Sequence, residues 1–142
     1  MPTLASASLA VDLRVALMRT TRRLRAEKSS EAITDAQYSV LAKLDCDGPQ
    51  TPRALADFEH VQPPSMTRTV NALVEAGLVT RAGHPVDGRQ VLVEITPAGS
   101  AEVKETRRRR TAWLAGRLAQ LTPDERDTLA RAADILLRVV AR

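Results

Sequence analysis

VQPPSMTRTVNALVEAGLVTRAGHPVDGRQVLVEIT, residues 61–96, decides how the rest of the chain is read. It has the order of a helix, a Gly stop, a short strand, a polar loop and a second strand. Pro63 suits a first helical position, where its fixed φ and missing N–H cost nothing. Met66, Val70, Leu73 and Val74 then recur at helical spacing, and Gly77 follows the last turn as a left-handed cap. At roughly 100° per residue, Met66, Val70 and Leu73 share one face. Arg68 lies almost opposite, with Pro64, Asn71 and Glu75 near it and Ser65 and Thr67 on the flanks. The outward N-terminal half is thus small and polar around one Arg. Little bulk, hydrogen-bond donors and positive charge are what a helix needs to enter a DNA groove.

The residues after this helix strengthen that reading. Leu78 to Ala82 reads as one strand. Val91 to Ile95 reads as another, with Val91, Val93 and Ile95 on one face by strict alternation. Between them lies the hairpin loop GHPVDGRQ, ending in Asp87-Gly88-Arg89. A helix followed by a two-stranded wing is the order of a winged helix-turn-helix. An Arg at a wing tip can reach into a narrow minor groove, where negative potential is concentrated. Asp87, two residues before Arg89, is placed to hold that guanidinium in a bidentate pair.

The chain has 142 residues, enough for one domain with a packing appendage. A net charge of +4 fits a polyanionic partner. Phe58, Tyr38 and Trp113 are its only aromatics, which argues against single-strand recognition by base stacking. No run approaches the ~18 apolar residues of a membrane span, and Asp12 and Arg14 interrupt any secretory core. Cys46 stands alone, so neither an intrachain disulfide nor a cysteine-built zinc site is available. The reading is a soluble cytoplasmic protein.

Outward from the central stretch, residues 1–7 show no clear period and are expected to fray. A basic helix is expected from about residue 8 to 28, with Leu9, Leu13, Ala16, Leu17 and Leu24 as its apolar stripe. Thr34 with Gln37 forms a capping box. The helix it opens carries Tyr38, Val40, Leu41 and Leu44. A short helix after Thr51-Pro52 is expected to turn Ala54, Leu55 and Phe58 inward, with Val61 just past its end. Thr96-Pro97 opens a helix running to about Leu121, with Val103, Trp113, Leu114 and Leu118. Thr122 and Glu125 form a second capping box, and Leu129, Ala133, Leu136, Leu137 and Val140 stripe the last helix. The expected division is therefore 1–30 and 97–142 for dimerisation and 31–96 for the winged helix-turn-helix. The terminal helices hold more apolar surface than a unit of about 60 residues can cover, which points to a second subunit.

Arg107 to Arg110 span roughly 300° of helix surface at 100° per step. At least one should therefore face neighbouring structure and would need a carboxylate, such as Asp12 or an acid among residues 124–127, or an anionic ligand. A solvated, partly paired face is favoured over an effector-binding site. A catalytic reading finds little to stand on. His60 and His84 have no partners at metal-ligand spacing, and nothing supplies a nucleophile or an oxyanion hole. No enzyme, cofactor or metal site is expected.

With these residues laid out, the chain resembles the MarR family of bacterial transcriptional regulators from about residue 8 to the end. The likeness is carried by VQPPSMTRTVNALVEAGLV and by the wing DGRQVLVEITPAG, an Asp-x-Arg followed by a strand and Ile-Thr-x-x-Gly. The resemblance implies a mainly helical winged helix-turn-helix in which the first and last two helices make a homodimer interface. It implies a short strand near Gln50. By position, Pro64, Ser65, Thr67 and Arg68 would face the major groove of double-stranded DNA at a pseudo-palindromic operator. Arg89 would enter the minor groove with Asp87 bracing it. Members typically repress genes, and many release DNA when a small aromatic effector binds. Members that sense oxidants use a cysteine near the N-terminus, where this chain has none. Pro64 departs from the family, which often has a polar base-contacting residue at that place. Two other readings fit fewer of these features: a winged-helix module binding an acidic protein, and a ligand-binding protein.

Overall fold

The computed structural model describes residues 3–83 and 85–141, so Met1, Pro2, Arg142 and wing residue His84 lie outside it. In chain order the elements are α1 (Leu4–Arg25), α2 (Asp35–Asp47), α3 (Pro52–Glu59) and α4 (Pro63–Glu75). A hairpin follows, of β1 (Val79–Gly83) and β2 (Val91–Ile95), and then α5 (Pro97–Leu118) and α6 (Pro123–Val140). The architecture is mainly α with one two-stranded antiparallel wing, as the sequence implies.

The chain divides into two compact units. One comprises Arg25–Arg109 and the other the described residues before and after it. Every buried hydrophobic among the described residues belongs to the middle unit. Val40, Leu41 and Leu44 of α2 meet Leu55 and Ala56 of α3, Met66, Val70 and Leu73 of α4, Val79, Val93 and Val103. Burying each Leu, Val or Met side chain contributes about 1.5–3 kcal/mol. Both expected capping boxes form, at Thr34–Gln37 and at Thr122–Glu125. Val79 pairs with Ile95 and Gly83 with Val91 across the hairpin. The strand expected near Gln50 is a single antiparallel bridge: Gln50 N–H donates to the Val93 carbonyl at 3.1 Å and Val93 N–H donates back at 2.8 Å.

The helix α4 ends on a left-handed glycine, as its sequence implies. Gly77, at φ 73°, donates its N–H to the Val74 carbonyl, and Leu78 N–H reaches back to Leu73, each at 3.0 Å. This pair of bonds satisfies two carbonyls that a helix end otherwise leaves open. Thr96 fastens the same corner from the far side of the hairpin. Its hydroxyl donates to the Gly77 carbonyl at 2.7 Å and its N–H to the Leu78 carbonyl at 3.0 Å. Its oxygen then accepts the Gly99 N–H at 3.1 Å, capping α5. One threonine thus joins the end of α4, the hairpin and the start of α5.

Four expectations need correction. α1 begins at Leu4, not near residue 8, because Thr3 caps it: its side chain accepts the Ser6 N–H at 3.2 Å. The helix also stops at Arg25, so Lys28 lies in the link, donating to the Ile33 carbonyl at 3.2 Å. Phe58 is 48% exposed, and Lys43 Nζ sits 4.5 Å from its ring centroid. Ala56 takes the inward place expected for Phe58. Val91 is also exposed, because it pairs with Gly83 at the loop end of the hairpin, beyond the core.

In the other unit none of the described residues is buried. Leu9, Val11 and Leu17 of α1 and Leu129, Ile135, Leu137 and Val140 of α6 are all exposed. Here Trp113 is flanked by two cations, with the Arg23 guanidinium 4.7 Å and the Arg117 guanidinium 5.5 Å from its ring centroid.

Candidate nucleic-acid interface

The interface is built on α4, whose inward face is fully committed. Met66, Val70 and Leu73 are 2%, 1% and 1% exposed, which fixes the opposite side toward solvent. Pro64, Thr67, Arg68 and Asn71 are exposed there, and Ser65 is half-buried. Pro63 and Pro64 remove two of the N–H groups that a helix start normally leaves free. The third, on Ser65, donates to the Gln62 carbonyl at 3.0 Å. α4 therefore presents mainly side chains and its dipole at this end, with fewer backbone donors than a helix start without prolines.

Those side chains are partly organised. Arg68 Nη2 donates to Ser65 Oγ at 3.4 Å, so these two candidates lie side by side. The Thr67 hydroxyl donates back to the Pro63 carbonyl at 3.0 Å, which commits its proton and leaves its oxygen as an acceptor. Pro64 contributes apolar surface only. On the wing, Asp87 Oδ1 accepts the backbone N–H of Arg89 at 3.1 Å, and the Asp87 carbonyl accepts Gln90 N–H at 3.0 Å. Asp87 thus shapes the loop that carries Arg89 through the main chain. The α4 set and the wing pair remain on separate elements.

One residue beside these candidates escapes a reading of the sequence. Arg81 of β1 donates through Nη2 to Oδ1 of Asn71 on α4. Asn71 sits three residues after Arg68 on the same outward stripe, which is the available signal; nothing in the sequence pairs it with Arg81.

Three arginines of the run, Arg107–Arg109, find carboxylates in the middle unit. Arg107 pairs with Asp45 at 3.3 Å, and Arg108 and Arg109 pair with Glu105 at 2.8 and 2.9 Å. Arg109 also donates to the Lys28 carbonyl at 3.0 Å. Hydrogen bonds from Arg108 and Arg109 lower the pKa of the Glu105 carboxyl to about 2. For Arg107–Arg109 the carboxylates are thus Asp45 and Glu105, and not Asp12 or residues 124–127. Among the described residues no group of three or more His, Cys, Asp or Glu is arranged to hold a metal ion. No described helix is long and apolar enough to cross a membrane.

Three packed helices with an exposed polar face on the third, followed by a β-wing, make this a winged helix-turn-helix protein. The family model described as "MarR family" matches residues 33–91. An HTH-type transcriptional regulator of Mycobacterium tuberculosis is 48% identical, covering 96% of this chain and 95% of its own length. The multiple antibiotic resistance protein MarR of Salmonella typhimurium is 36% identical, covering 68% of each chain. The crystal structure of RV1404 from Mycobacterium tuberculosis superposes with a TM-score of 0.86 at 28% identity, over 96% of this chain and 95% of that one. The chain belongs to the MarR family and is a DNA-binding transcriptional regulator.

Proposed function

We propose that this regulator is a homodimeric repressor that binds a pseudo-palindromic operator in double-stranded DNA. The observation that carries the reading is the division of α4 into a buried apolar face and an exposed polar face centred on Arg68. In this reading Ser65, Thr67 and Arg68 address base edges in the major groove and Pro64 supplies apolar contact. Arg89 enters the flanking minor groove from a loop shaped by Asp87. Two copies of α4 then meet half-sites about one helical turn apart. The dimer is supported by the many exposed apolar side chains of α1 and α6, since so much apolar surface ordinarily packs against a partner. Dimerisation is assigned to residues 1–30 and 97–142 and DNA binding to 31–96. The setting is cytoplasmic.

Release by a small aromatic effector has a candidate place beside the DNA-facing surface. A cleft of about 320 Å³ is lined by Ala36, Val61, Met66, Ser65 and Arg68 among others. That volume lies at the lower end of small-molecule sites. A ligand seated there covers Ser65 and Arg68 and so competes with DNA for the same side chains.

The test is fluorescence anisotropy on a cognate duplex and its single-base variants. Arg68→Ala is expected to cost about 1–3 kcal/mol on the cognate duplex and to erase discrimination at one base position. A loss of equal size on every duplex overturns base reading by Arg68 and makes it a phosphate contact.

A further inference from the structure

Asn71 stands three residues after Arg68 and seven after Pro64. At about 100° per residue these three occupy roughly 60° of helix surface, opposite the buried Met66, Val70 and Leu73. Asn71 is exposed, so the outward stripe of α4 continues beyond Arg68 with a polar group of two-sided chemistry. An amide offers an oxygen acceptor and two N–H donors. One side is already taken. Arg81 Nη2 donates to Asn71 Oδ1, and a guanidinium has no acceptor, so the atom it touches must be the amide oxygen.

Arg81 is well placed to hold that oxygen. It lies opposite Val93 in the hairpin ladder, and Val93 is fully buried and hydrogen-bonded in both directions to Gln50. The backbone under Arg81 is thus tied to the part of the wing that joins the core.

The consequence is a change in what Asn71 can read. A free Asn matches adenine, giving one hydrogen to N7 and accepting one from N6. An Asn oxygen that already accepts from a guanidinium keeps one lone pair, but the cation beside it disfavours a second incoming donor, so the side chain presents chiefly its N–H groups. On the major-groove edge it then matches N7 and O6 of guanine, two adjacent acceptors, better than adenine, whose N6 is a donor. We propose that Asn71 is a base-reading residue and that Arg81, by occupying its oxygen, sets its preference toward guanine. Arg81 is here a positioning residue: it acts through Asn71.

This inference rests on the operator-binding reading above. The experiment selects duplexes from a randomised pool with the full-length protein, then measures anisotropy on the selected duplex and its single-base variants. Asn71→Ala, Asn71→Asp and Arg81→Met are compared with the wild type, each checked for fold by thermal melting. The wild type is expected to favour guanine over adenine at one position in each half-site. Asn71→Ala and Asn71→Asp lose roughly tenfold of that preference while the other positions keep their ranking. Arg81→Met frees the oxygen and moves the same position toward adenine. An unchanged base profile in Asn71→Ala, or a uniform loss on all duplexes, overturns base reading by Asn71. A flattened profile in Asn71→Ala with no move toward adenine in Arg81→Met overturns the role of Arg81. If the wild type selects no sequence at all, the operator-binding reading fails, and this inference with it.

Discussion

Replacing Gly99 by Ala tests whether the corner that joins α4, the wing and α5 is as tight as its geometry indicates. A Cβ at Gly99 would lie 2.2 Å from the Leu78 carbonyl oxygen and 2.7 Å from Ile95 Cγ1. The first of these cannot yield cheaply, because that carbonyl accepts the Thr96 N–H at 3.0 Å and Thr96 also holds Gly77. Overpacking a fixed site costs about 1–3 kcal/mol or somewhat more. Ala gains up to about 1 kcal/mol over Gly inside a helix, which works in the opposite direction. The steric cost wins, because the obstacle is backbone and not the end of a flexible side chain. A net loss of about 2 kcal/mol lowers the melting temperature of a chain this long by roughly 8 °C. The assay is differential scanning calorimetry of both proteins at one fixed concentration, since assembly shifts apparent stability. A melting temperature equal to or above that of the wild type refutes the reasoning. It would mean that α5 can slide away from Leu78 without loss.

Other expectations come from single contacts. His60 ends α3 at φ 54°, a left-handed conformation costing an L-residue roughly 1–2 kcal/mol, so His60→Val should lower the melting temperature while His60→Gly leaves it equal or raises it. Thr106, 2% exposed, accepts the Ser29 N–H at 3.1 Å. Thr106→Val strands that donor and is expected to cost about 1–3 kcal/mol in urea titration; a change below about 0.5 kcal/mol contradicts this. The pKa of Glu105 is held at about 2, below its ordinary 4.5, by Arg108 and Arg109. Its folded value is depressed, so its stabilisation is complete above pH 4.5 and is lost as pH falls through about 2. Melting curves across that window should fall more steeply for the wild type than for Glu105→Gln, and parallel curves would remove the clamp from the account.

Much of the fold is legible because local chemistry and tertiary packing agree. Pro63, the apolar spacing of Met66, Val70 and Leu73, and the glycine at position 77 point to the helix that is observed, Pro63–Glu75. Thr34 and Thr122 each announce a cap that forms. Phe58 defeats the pattern because α3 has only eight residues. Two turns leave the phase of an apolar stripe undetermined, and Ala56 fills the inward position where the helices approach closely. Glu105 stands three and four residues before Arg108 and Arg109, a helical spacing the sequence does show. The partner of Arg107 is out of reach for another reason. Asp45 is far away in sequence, and only packing brings α2 beside α5. Helix periodicity does place Asn71 near the outward stripe of α4. Its partner Arg81 stays invisible, because a hydrogen bond between a helix and the next strand leaves no spacing signature.

The central claim is that α4 and the wing read duplex DNA together. The measurement that tests it most directly is anisotropy on the promoter fragment upstream of the protein's own gene and on a scrambled fragment of equal length. It is run across a salt series, with Arg89→Ala alongside the wild type. The expected result is tight binding that prefers the native fragment and weakens steeply with salt, as release of counterions from contacted phosphates requires. Arg89→Ala binds more weakly and keeps its fold. Equal, weak binding of the wild type to both fragments, unchanged by Arg89→Ala, would contradict the account and leave only a basic surface.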